Sequence, residues 1–196
     1  MSDGMAVAAV LPSPEPQSSR LEQRIRALTE QLVQVRGELR RAEERIAALA
    51  TIDEATGLLN ARAFRERAAV EADRATRYER PLALVLLEPD DPASLAALAE
   101  LCRGQCRAVD AGGRADGGAI ALLLPETALP GALVIAERVC AAAARRGLHA
   151  SAGCAAWPAE GGALSCLIDA ARRALSVARA DGGLNRVRSA AVARRP

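Results

Sequence analysis

The side chains best equipped for chemistry lie between Glu88 and Arg138. Arg107 and Asp110 stand close together in Arg107-Ala-Val-Asp110, ahead of Arg114 and of the glycine pair in Asp116-Gly-Gly-Ala-Ile120. An arginine presents a planar fork to phosphate oxygens or to guanine O6 and N7, and a carboxylate accepts hydrogens from the N1 and N2 edge of guanine. Arg138, in Ala136-Glu-Arg138, is a further group of the first kind. Glu88 and Asp90 close an apolar run and are hard oxygen donors of the type a magnesium ion takes. Spacing alone gives Arg107 and Asp110 no weight, since a chain this rich in arginine produces R-x-x-D from composition. The plainer reading of Arg107, Asp110 and Arg138 is solvated surface charge. Five cysteines without a C-x-x-C pair, and a single histidine, His149, argue against a zinc site or a disulfide framework. They read as small core residues of a reduced protein, and no metal is expected.

Composition limits what these groups can serve. At 196 residues, 51% hydrophobic and 26% charged, the chain holds one globular domain plus an accessory segment. A formal charge of +2 gives no electrostatic case for nucleic acid, although every basic residue is Arg and none is Lys, which suits forked grips on anions. No apolar run is long enough to span a bilayer, and the first residues lack the basic start of a signal peptide, so a cytoplasmic location is expected.

The elements that position the site follow from patterning. Residues 1–18 are rich in Pro, Ser and Ala and read as a disordered tail. Residues 19–50 read as a coiled-coil helix, with apolar positions at Leu21, Ile25, Leu28, Leu32, Val35, Leu39, Ala42, Ile46 and Leu49 in alternating steps of four and three. Gly37 lies outside that seam. The alternative is an amphipathic helix packed on its own domain, but a narrow stripe favours self-association. In a parallel in-register pair Glu38 faces Glu43 and Gln31 faces Arg36, which leaves strand number and direction open. Asn60 is a good N-cap for a helix over Ala61 to Tyr78. Leu82 to Leu87 reads as a buried central strand, followed by a helix over roughly Ala93 to Cys106. The glycines at 117 and 118 suit a tight turn with positive φ before an apolar strand at Ala121 to Pro125. Helices over Pro130–Arg146 and Ala163–Ala180 flank a strand over Leu148–Ala156. Alternating helices and strands are all that this pattern alone supports.

Several segments, taken together, resemble the GGDEF family of nucleotide cyclases. Asp53, Thr56, Gly57, Leu58, Asn60 and Phe64 match its D-x-x-T-G-L-x-N-R-x-x-F opening, with Arg62 one place late. Arg107-Ala-Val-Asp110 and the glycine turn match its R-x-x-D and GG[DE]EF hairpin. Ser151-Ala-Gly-Cys154 is similar to its S-I-G-x-A strand, and Asp181 to Val187 to its G-R-N-x-V, with one residue inserted. The resemblance covers residues 51–187 and implies an α+β domain of the ferredoxin-like cyclase type. Its central sheet is mostly antiparallel, a coiled-coil helix precedes it, and a disordered tail, 188–196, follows. It also shows what has changed. Ala119 and Ile120 stand where the family's acid pair serves a divalent cation, Pro89 and Pro92 interrupt the segment around Glu88 and Asp90, and the helix that carries the family's guanine contacts is missing.

The resemblance therefore implies a degenerate domain with no catalytic residues, not an enzyme, and without a cofactor. Arg107 and Asp110 fall on the family's inhibitory site for cyclic di-GMP, and Arg138 falls where a further arginine completes it. Two functions from different classes follow. One is a cyclic di-GMP receptor in bacterial signalling that signals through a homo-oligomeric coiled coil to an unidentified downstream protein. The other is a ligand-free dimerising scaffold.

Overall fold

The computed structural model describes residues 17–115, 117–158, 163–181 and 185–190. The chain divides into two units, Met1–Leu49 and Ala50–Pro196. The described part of the first is one helix, α1 (Gln17–Leu49). Its start takes in Gln17 and Ser18, which the sequence assigned to a tail; residues 1–16 of that tail lie outside the described residues. The seam residues Leu21, Ile25, Leu28, Leu32, Val35 and Leu39 are each between 51% and 64% exposed. Local polar contacts on this helix include the Gln34 to Glu38 side-chain hydrogen bond of 3.0 Å. No helix is long and apolar enough to cross a membrane, among the described residues.

The second unit runs α2 (Ala61–Tyr78), β1 (Leu82–Pro89), a short 3-10 turn (Pro92–Ser94), α3 (Leu95–Gln105), β2 (Ala111–Arg114), β3 (Ile120–Pro125), α4 (Leu129–Arg145), β4 (Ala150–Trp157), α5 (Leu164–Ala180) and β5 (Val187–Ser189). The five strands form one sheet in the order β2-β3-β1-β4-β5. β1 is antiparallel to both β3 and β4, and β2 is antiparallel to β3. β5 alone is parallel, against β4. This is the α+β arrangement with a mostly antiparallel sheet that the sequence implied.

β1 is buried from Leu82 to Leu87 because both faces of the sheet are covered. Ala83, Val85 and Leu87 pack with Leu98 of α3 and Ala132, Ala136 and Val139 of α4. Leu82, Leu84 and Leu86 pack with Phe64 and Ala68 of α2 and Leu167 and Ala171 of α5. A strand buried on both faces reads as a continuous apolar run rather than an alternation. It extends to Pro89, past the limit the sequence suggested, because β4 pairs with it as far as Pro89, while β3 stops at Leu87 and asks for no N–H from the proline.

Local chemistry fixes the start of the domain. Asp53 Oδ1 accepts from the Thr56 N–H at 2.9 Å and from the Thr56 hydroxyl at 2.6 Å. Gly57, at φ 63°, then turns the chain. Asn60 caps α2 by accepting from the Ala63 N–H at 2.9 Å. Between turn and cap, the Leu59 N–H donates to the Gly112 carbonyl and the Leu59 carbonyl accepts from the Arg114 N–H, so the outer edge of β2 is covered.

At the far end, one expectation needs correction. The sequence ended the domain at Val187 and assigned 188–196 to a disordered tail, yet β5 continues to Ser189 and the Ala190 N–H donates to the Cys154 carbonyl at 2.8 Å. The parallel pairing of so short a strand rests on β4, which the local pattern of small and basic residues does not announce. Residues 191–196 lie outside the described residues.

α5 approaches the sheet closely at Gly153 of β4. A Cβ there would lie 2.2 Å from the Leu175 nitrogen and 2.3 Å from the Ala171 carbonyl oxygen, both backbone atoms of α5. Gly153→Ala should therefore push α5 off the sheet and cost about 1–3 kcal/mol. Gly104→Ala, where an added Cβ meets nothing within 4 Å, should be neutral or slightly stabilising. Thermal unfolding followed by circular dichroism checks this; equal midpoints for the two variants would refute the close contact.

Candidate functional site

Three chain segments meet at one pole of the sheet: the end of β1, the β2–β3 turn and the end of α5. The turn is built by backbone bonds and glycine. The Ala115 N–H donates to the Ala119 carbonyl at 2.8 Å, and Gly117 and Gly118 take φ of 87° and 95°, as the sequence led us to expect. Arg114 ties the turn down, donating to the Gly118 carbonyl at 3.0 Å. Its Nε also lies 3.7 Å from Asp53 Oδ2. Asp116 lies outside the described residues. Ala119 and Ile120 are buried, Ile120 completely. They belong to opposite faces of the sheet, Ile120 with the α3/α4 core and Ala119 with the α2/α5 core.

The acids beside this turn are largely committed to other tasks. Glu88 forms an ion pair of 2.5 Å with Arg179 of α5. Asp91 caps the 3-10 turn by accepting from the Ala93 N–H at 3.0 Å. The Asp90 backbone N–H donates to the His149 carbonyl at 3.0 Å, while its side chain is exposed. Sequence reading had noticed Glu88 and Asp90 but not Arg179. Its only local signal was a basic residue in the last turn of an amphipathic helix, a common position for one.

Arg107 and Asp110 form a closed turn between α3 and β2. The Arg107 N–H donates to Asp110 Oδ2 at 2.7 Å. In return the Asp110 N–H donates to the Arg107 carbonyl at 3.1 Å. This is the self-closing habit of aspartate in turns. Asp110 is half-buried, whereas the Arg107 side chain is exposed. The neighbouring Cys106 thiol is pushed up to about 11, first by burial and then by the Asp110 carboxylate. Arg138 stands on the exposed side of α4, whose other side packs with α3. No hydrogen bond or ion pair engages the guanidinium of Arg107 or of Arg138 among the described residues. The structure thus brings Arg107 and Asp110 together directly, and sets Arg138 on the exposed side of α4 with no hydrogen bond or ion pair to them among the described residues.

Cys102, Cys140 and Cys154 are buried and behave as core, whereas Cys166 is half-buried, so the sequence expectation of five core cysteines holds only in part. Burial pushes the Cys140 thiol up to about 11, with Glu137 adding to it. Burial also pushes Cys154 up to about 12, with Cys140 and Glu137 contributing. Such thiols stay protonated and unreactive at neutral pH.

Neither a protein-family model nor a curated protein matches this sequence. Solved structures do match. The coiled coil and GGDEF domain of DgcB from Caulobacter crescentus, in complex with cyclic di-GMP, superposes with a TM-score of 0.64 at 21% identity, covering 87% of this chain and 99% of that one. The active GGEEF domain of a diguanylate cyclase from Vibrio cholerae gives 0.64 at 20% identity over 69% of this chain and 99% of that one. The diguanylate cyclase SiaD of Pseudomonas aeruginosa, in complex with its activator SiaC, gives 0.64 at 25% identity over 89% and 77%. The chain therefore has the fold of GGDEF cyclase domains, a helix followed by a mixed sheet of five strands with helices on both faces.

Proposed function

We propose that this chain is a cyclic di-GMP receptor on a GGDEF-type fold, and that it does not make the dinucleotide. The observation that carries this reading is the Arg107–Asp110 turn, which precedes the hairpin and leaves an exposed guanidinium without a partner among the described residues. Arg107 and Arg138 supply forks for phosphate oxygens or the guanine O6/N7 edge. The bond to the Arg107 N–H takes Asp110 Oδ2, and Oδ1 serves the guanine N1 and N2 hydrogens. Because the turn is closed by its own two hydrogen bonds, part of the ordering cost of binding is already met.

Loss of synthesis is supported by side chains at the hairpin. Ala119 and Ile120 are buried hydrocarbons and offer no oxygen to a cation. Glu88, the nearest acid at the end of β1, already faces a guanidinium. Self-association is supported by α1, whose seam leaves six large apolar side chains about half exposed in a single chain. In this reading the receptor works in the cytoplasm of a bacterium, and the paired helices carry occupancy to a downstream protein.

One observation favours the second reading, a ligand-free dimerising scaffold. Asp110 already has a structural task in closing its own turn, which accounts for an acid at that position without any ligand.

Calorimetric titration with cyclic di-GMP separates the two. Arg107→Ala should weaken binding by about ten- to hundredfold, the equivalent of losing about 1.5–3 kcal/mol from a charge-assisted contact. Arg107→Lys should also weaken it, since a point charge cannot reproduce the fork. If the wild-type protein gives no heat at high micromolar ligand, the scaffold reading replaces the receptor. Incubation with GTP and magnesium should yield no cyclic di-GMP by chromatography; product above a no-protein control refutes the loss of synthesis. Finally, Asp placed at Leu28 and Leu32 would bury charge in the seam and should yield monomers by light scattering. A mass unchanged from the wild-type oligomer would show that the helix is not the association surface.

A further inference from the structure

A small cleft lies between α2 and α5, on the face of the sheet opposite α3 and α4 and close to the base of the hairpin. Its floor is hydrocarbon, from Leu84 and Leu86 of β1 and Ala121 of β3. Its volume of about 20 Å³ has room for one group the size of a water or a methyl. Arg65 of α2, Arg114 at the end of β2 and Arg172 of α5 line it, and among the described residues no acid does. We propose that the cleft is a docking point for an acidic side chain of a protein partner, with its methylene in the pit and its carboxylate among the arginines.

Three observations carry this. First, the charge is one-sided. Guanidinium groups from three elements surround one opening, and a carboxylate is the anion whose plane matches their fork. Second, the seat combines a movable guanidinium with a held one. Arg172 is exposed, and no hydrogen bond or ion pair engages its guanidinium among the described residues, so it turns to an anion without breaking a bond. Arg114 is fixed, donating through Nη1 to the Gly118 carbonyl at 3.0 Å with Nε 3.7 Å from Asp53 Oδ2, and these contacts use neither hydrogen of Nη2. Third, the pit is apolar and takes a single group. Phosphate, with oxygen at every corner, would press a charged oxygen onto Leu84 and Leu86, whereas an aspartate or glutamate side chain carries a methylene beside its carboxylate. A pit of this size gives a free molecule little to hold. It suits an anchor side chain whose neighbours in a partner make their own contacts around the rim.

The cleft is separate from the Arg107 turn, which follows α3, a helix packed on the other face of the sheet. The test is NMR titration of the full chain, read at the methyl of Ile168, which borders the cleft. The probes are the acetylated, amidated tripeptides Ala-Glu-Ala and Ala-Gln-Ala, with propionate and inorganic phosphate beside them. Ala-Glu-Ala should shift the methyl and saturate at millimolar concentration, and propionate should move it in the same direction. Ala-Gln-Ala keeps the shape without the charge and should bind at least about tenfold more weakly. Inorganic phosphate keeps the charge without a methylene and should bind more weakly than propionate. Arg172→Gln should weaken Ala-Glu-Ala by about tenfold, and Arg172→Glu should abolish its binding. Arg107→Ala should change none of this. The proposal is overturned if Ala-Glu-Ala leaves the methyl unmoved at high millimolar concentration, or if Ala-Gln-Ala binds equally well. Phosphate binding as tightly as propionate overturns it too, since that marks a surface patch for any anion, as does Ala-Glu-Ala binding that survives Arg172→Glu or is lost in Arg107→Ala. Arg172 is exposed, so folding of its variants is checked by an unchanged thermal midpoint.

Discussion

The two-sided burial of β1 is the constraint on which the rest of the domain depends. From Leu82 to Leu87 the strand has no polar side chain, so water must be excluded from both of its faces. One face calls for α3 and α4 and the other for α2 and α5. Hydrogen-bonded neighbours are needed on both edges as well, and β3 and β4 supply them. Helices can come this close only because the facing residues are small: Ala132, Ala136 and Ala143 on α4, Ala171 on α5, and Gly153 on β4. The alanine-rich composition is thus a packing solution. With few large rings available, the core is filled by bringing backbones near one another.

Function is then pushed to the ends and outer surfaces of this frame. A strand without polar side chains cannot carry chemistry along its length, so charged groups collect where it begins and where it stops. At its C-terminal end Glu88 meets Arg179 beside the glycine turn. At its N-terminal end Arg80 and Pro81 border a cavity of about 310 Å³ with Glu126, which follows β3 in the antiparallel register that sets Leu82 against Pro125. The Arg107–Asp110 turn connects α3 into the edge strand β2, whose register sets Ala111 against Leu123 and so places the turn toward the same end of the sheet as Arg80 and Pro81, on the far side of β3.

Much of this frame was legible in the residues, and the reasons are local. Asn60 and the apolar spacing after it gave the bounds of α2, and those bounds are the observed ones. The run from Leu82 gave β1, and the glycines at 117 and 118 gave the hairpin turn. What was not legible depends on partners distant in sequence. Neither Glu88 nor Arg179 carries any mark of the other. β5 is a strand only because β4 pairs with it, and Leu59 covers the edge of β2 through two backbone bonds that no side-chain pattern records. The site was legible in part. R-x-x-D identified a turn, but its own hydrogen bonds explain the aspartate as well as a ligand does. The cavity bordered by Tyr78, Arg80 and Glu126 gave no signal, because its walls come from α2, the start of β1 and the end of β3.

The hairpin is also tied to the start of the domain, and the link is polar rather than apolar. Asp53 uses Oδ1 to close the Thr56 turn, and its Oδ2 lies 3.7 Å from Arg114. Arg114 holds the hairpin through the Gly118 carbonyl, while its own N–H donates to the Leu59 carbonyl. Arg103 adds a second tie from α3, donating to the Thr56 carbonyl at 3.2 Å. The segment from Asp53 to Asn60 therefore reaches both the hairpin and the helix that leads into the Arg107 turn. A displacement of that segment would have to break or carry with it the bonds of Arg103 and Arg114. Bonds of this kind are directional, and an unmade one at a half-buried site is costly, so such a segment has a few discrete arrangements rather than a continuum.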